Sequence, residues 1–161
     1  MPDFDLNEPL LREVQRYIQA HPEELDMETP ILLSSNCGTT ACIAGTIALL
    51  DKKEEIDELL EKGEFLIPTE DKESKIIPWN LTQARGVGVE QLAAKALGLK
   101  THTKYGVYEV ALFYTRLWPE DLQTRFTEAK DKKEKASIAC SVIEYYMNNP
   151  SQILIAGDDY N

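Results

Sequence analysis

The residues point to a mainly α-helical fold: a compact bundle of about six helices around a central apolar helix, with a small β-hairpin. Apolar side chains recur at helical spacing in several segments, and Gly or Pro closes most of them. Between them runs Ala41–Leu50, ten residues without a charge, which is apolar on every side and so belongs in the interior.

The N-terminal helix begins at Asn7, a capping residue, with Glu8 and Pro9 in its first turn. Leu10, Leu11, Val14, Tyr17 and Ile18 share one face, and His21-Pro22 ends it, because the residue before a proline is pushed out of the α region. Thr29–Leu33 suits a short strand. Asn36–Thr40 reads as a turn with capping residues that feeds the central helix. Lys52–Lys62 continues as an amphipathic helix with Ile56, Leu59 and Leu60 inward, stopped by Gly63. Phe65–Ile67 and Lys75–Ile77 are the arms of the expected hairpin. Helices follow over Val89–Leu97, closed by Gly98, and over Gly106–Arg116, where Val107, Val110, Ala111 and Tyr114 have helical spacing. Trp118-Pro119-Glu120-Asp121 starts another, since Pro and acids favour the first turn. The last long helix covers about Lys132–Met147, up to Asn149-Pro150. Residues 1–150 are expected to form one domain, with 151–161 as an apolar and acidic tail.

The chain has 161 residues and carries 28 acidic against 17 basic side chains, a net charge of −11. That balance disfavours nucleic acid, whose binding rests on neutralised phosphates. No apolar run reaches the length needed to span a bilayer, and the first residues lack the pattern of an export signal. A cytoplasmic protein is expected, and Cys37, Cys42 and Cys140 read as reduced thiols. The Cys-x4-Cys spacing lacks the close bite of a zinc site, so neither a metal nor another cofactor is expected.

Two stretches could carry chemistry. In Cys37-Gly38-Thr39-Thr40-Ala41-Cys42, a glycine turn before a helix leaves backbone N–H groups and two hydroxyls facing an anion. Cys42 would lie in the first helical turn, where the dipole lowers a thiol's pKa, and His102, in a polar loop, is the better of the chain's two histidines as its base. The second stretch, Arg85-Gly86-Val87-Gly88, places a guanidinium and two glycines before another helix. If both turns faced one cleft, Cys37, Gly38, Thr39, Thr40, Arg85, Gly86 and Gly88 would bind an anionic ligand. The bland alternatives are simple caps, buried thiols and tight turns.

The segments His21-Pro22-Glu23, Cys37-Gly38-Thr39-Thr40-Ala41-Cys42-Ile43-Ala44-Gly45 and Leu97-Gly98-Leu99 resemble those of a family of small, functionally uncharacterised bacterial and phage proteins. Many members have Trp or His after the Ala-Gly pair, where this chain has Thr46. The resemblance implies a compact helical fold and brings no catalytic residue with it. Charge and resemblance together lead to the expectation of a small acidic binding protein. It would be a phage-type inhibitor that occupies a basic surface of a host or defence protein, or that sequesters a nucleotide-like anion. The alternative is a cysteine-dependent hydrolase or transferase using Cys42 and His102.

Overall fold

Leu10, Leu11, Val14 and Ile18 are buried along one side of α1 (Glu8–Ala20), as their spacing requires. The computed structural model describes residues 4–27, 31–34, 38–51, 53–54, 75–77, 89–103 and 106–156. Asn7 caps α1 by accepting a hydrogen bond at Oδ1 from the Leu10 N–H at 3.3 Å. After His21 the chain makes a 3-10 turn, Pro22–Glu24, and Asp26 donates its N–H to the Ala41 carbonyl at 2.9 Å.

That bond brings the chain alongside the first of two three-stranded sheets. β1 (Ile31–Ser34) lies between β2 (Gly38–Ala41) and β3 (Lys75–Ile77), antiparallel to both. The register pairs Leu32 with Thr40 and with Ile76. Gly38–Thr40, expected in a capping turn, are therefore strand residues. Of the expected hairpin, Lys75–Ile77 is a strand paired with β1, and Phe65–Ile67 lie outside the described residues. Most of the helix expected over Lys52–Lys62 also lies outside them.

α2 (Ile43–Asp51) is the interior helix that its composition demands: Ile43 through Ala48 are buried, and α2 meets α1, β2, α3 (Val89–Ala96) and the turn Ala111–Phe113. Gly98 closes α3 with φ +79°. Its N–H bonds to the Lys95 carbonyl while that of Leu99 reaches the Ala94 carbonyl, the paired bonds of a Schellman cap.

Gly106–Arg116 is not a helix. Gly106–Val110 is β5, antiparallel to β4 (His102–Thr103) and to β6 (Leu154–Ala156), and 3-10 turns follow at Ala111–Phe113 and Thr115–Leu117. β6 belongs to the segment read as a tail: Ile153 is fully buried, and its carbonyl accepts the Ala111 N–H at 2.7 Å. α4 (Glu120–Glu128) and α5 (Lys132–Asn148) pack on one another, and α5 also packs on α1. At that seam Gln15 Nε2 donates to the Cys140 carbonyl at 3.0 Å, and Arg12 pairs with Glu144, holding its carboxyl below the usual range. Helix dominates, with five α-helices among the described residues, and none of them is long and apolar enough to cross a membrane.

Candidate functional site

Cys42 joins β2 to α2. Its sulfur accepts a hydrogen bond from the Gly45 N–H at 3.3 Å, and its carbonyl accepts both the Thr46 N–H, at 2.9 Å, and the Thr46 hydroxyl, at 2.8 Å. The residue thus acts as an N-cap, and an amide expected to face a ligand is bonded to the protein itself. The side chain is 0% exposed. Burial pushes its thiol from 9.0 up to about 12, and the neighbouring Gly45 and Ala44 amides, which pull the other way, do not offset it. The expected lowering by the helix start is therefore reversed: desolvation outweighs the dipole, and the thiol stays protonated at neutral pH.

His102 stands in β4, opposite Val107 in the second sheet, whereas Cys42 follows a strand of the first. Gly38, Thr39 and Thr40 lie opposite Ser34, Leu33 and Leu32, their backbone engaged in the sheet. Cys37, Arg85, Gly86 and Gly88 lie outside the described residues. Cys140 is also a free thiol; it is 6% exposed, and burial pushes it up to about 11.

Among the described residues, concavities flank this framework that the sequence did not announce. A cavity of about 240 Å³ lies between α1, the 3-10 turn and α2, with Ala41, Leu49 and Leu50 as apolar lining and Tyr17, Glu24, Thr46 and Lys53 as polar lining. Tyr17 donates its hydroxyl to Glu24 Oε1 at 2.8 Å and stacks on the His21 ring with centroids 4.4 Å apart. Burial, reinforced by the Glu24 carboxylate, pushes the Tyr17 phenol up to about 12, so it acts as a hydrogen-bond donor here. The i, i+4 pair Tyr17 and His21 was the available signal in the sequence, but the Glu24 partner depends on the turn at Pro22.

The second concavity, of about 420 Å³, lies between Leu25–Met27 and the corner that joins α4 to α5. Among the described residues, no cluster of His, Cys, Asp or Glu could hold a metal ion.

The acidic side chains divide cleanly. Glu90, in the first turn of α3, is 8% exposed and accepts the Tyr114 hydroxyl; burial, reinforced by this carboxylate, raises that phenol well above its ordinary value. Every other described Asp and Glu is at least partly exposed. No protein-family model, curated protein or solved structure matches the chain.

Proposed function

We propose that this is a small acidic binding protein that works by occupying a basic surface on another protein. The observation that carries the reading is the net charge of −11, together with the placement of all but one of the described carboxylates at the surface. An excess of that size raises encounter rates with a basic partner and fixes orientation on approach. A resemblance to proteins found in phage suits a host or defence protein as the partner, and the free thiols Cys42 and Cys140 favour a reducing cytosolic compartment. The anion-sequestering variant gains no support from the start of α2, where Cys42 occupies the Gly45 amide, nor the enzymatic alternative from a thiol held protonated.

The test is affinity capture from host cells at low and at high salt, with mass spectrometry of what is retained. Basic proteins held at low salt and lost at high salt are expected. A retained set indifferent to salt, or one without basic members, would overturn the reading.

A further inference from the structure

The groove of about 420 Å³ beside the α4–α5 corner has an apolar floor of Leu25, Met27, Phe126 and Ala129, and it is lined by Lys130, Lys132 and Lys135. None of these three forms an ion pair among the described residues. Lys132 donates from Nζ to the Glu23 carbonyl at 3.1 Å, and Lys135 lies over the Phe126 ring, 5.3 Å from its centroid.

Two acids share the lining. Asp131 accepts the Glu134 N–H at 2.8 Å as the cap of α5, so its carboxylate is turned to the backbone. Asp26 is the second. The lysines are thus spaced around an apolar floor and interrupted by acids. Such a lining suits single charges set apart on either side of an apolar group better than a polyphosphate, which favours Arg forks or converging amides.

We propose that this groove binds an acidic peptide segment of a partner protein, one that carries a large apolar side chain between carboxylates. The apolar side chain covers Phe126 and Met27, and the flanking carboxylates reach Lys130 and Lys135. Lys135 is already held against Phe126, which lowers the ordering cost of its contact. The chain's net negative charge slows the approach of such a peptide, and salt weakens this repulsion more than it weakens the close contacts in the groove.

The test is fluorescence polarisation with a labelled Glu-Asp-Phe-Asp-Glu peptide, its amide analogue Gln-Asn-Phe-Asn-Gln, and a third peptide with Ser in place of Phe. The acidic peptide is expected to bind saturably. Both control peptides, and the acidic peptide on the Lys130→Gln/Lys135→Gln variant, are expected to bind at least about tenfold more weakly. An unchanged thermal midpoint shows that the variant is folded; should it shift, Lys130→Gln alone serves, because that side chain is exposed. Absence of saturable binding, equal binding of the amide peptide, or equal binding by the lysine variant overturns the proposal. Displacement of the peptide by inorganic phosphate or ATP at a lower concentration than unlabelled peptide needs also overturns it, in favour of a small anion.

Discussion

Cys42 shows how a single residue's surroundings decide its chemistry. Near the start of a helix the dipole favours a thiolate, but the full burial of this side chain costs the charged form more. Iodoacetamide at neutral pH is therefore expected to leave Cys42 unmodified in the folded protein and to label it once denaturant is added, as read by peptide mass; prompt labelling without denaturant would show that the thiol is accessible. The motif around Cys42 was legible as a turn that enters a buried helix, although Gly38–Thr40 belong to a strand. Its thiol's environment was not, because burial comes from α1, α3 and β2 packing round α2. Gly98 is the opposite case, since Leu97-Gly98-Leu99 announces a helix stop. At φ +79° a Cβ would meet the Asp5 carbonyl oxygen at 2.6 Å, so Gly98→Ala combines left-handed strain with a backbone clash. It is expected to lower stability by at least about 1–2 kcal/mol in urea denaturation.

Among the elements, α1 was legible because it has a capping residue, Asn7, and a one-sided apolar pattern matched by burial, and α5 because Asn149-Pro150 marks its end; the Asp131 side chain that caps α5 emerges only in the structure. Gly106–Arg116 misleads for a physical reason. Val107, Val110, Ala111 and Tyr114 fit a helical face, but Val107, Tyr108 and Val110 also favour a strand. The decision falls to β6, more than forty residues further on, which pairs Tyr108 with Ala156 and Val110 with Leu154. Such pairing leaves no local trace in the sequence. Because Ile153 is fully buried beside it, Ile153→Ala should cost about 2–5 kcal/mol, seen as a lower denaturation midpoint. A loss below about 0.5 kcal/mol, the range of surface substitutions, would mean that this end of the chain is not part of the core.

For the whole molecule, the core of the described residues and the acidic surface follow from composition, whereas the concavities beside α1 and beside the α4–α5 corner arise only when distant segments meet. Burial also sets the response to alkali. The thiols of Cys42 and Cys140 are raised to about 12 and about 11, and the phenols of Tyr17 and Tyr146 both to about 12. Each stays protonated in the folded state at a pH where the unfolded chain has already released its proton, so unfolding gains free energy as pH rises. Their contribution is complete below the thiols' ordinary value of 9.0 and is lost from there up to about 12. Urea midpoints are expected to fall progressively above pH 9.0, and less steeply for Cys42→Ala. Equal slopes for the two proteins would show that Cys42 is not protonated by burial.

Asn7 ties together two helices that the chain keeps far apart. While its Oδ1 caps α1, its Nδ2 donates to the Ala96 carbonyl at 3.1 Å and its N–H to the Leu97 carbonyl at 3.1 Å, at the end of α3. The first turn of one helix and the last turn of the other therefore share a latch. Fraying at either should release both, so amide hydrogens at Leu10 and Leu99 are expected to exchange with deuterium at matched rates, and to accelerate together in Asn7→Ala.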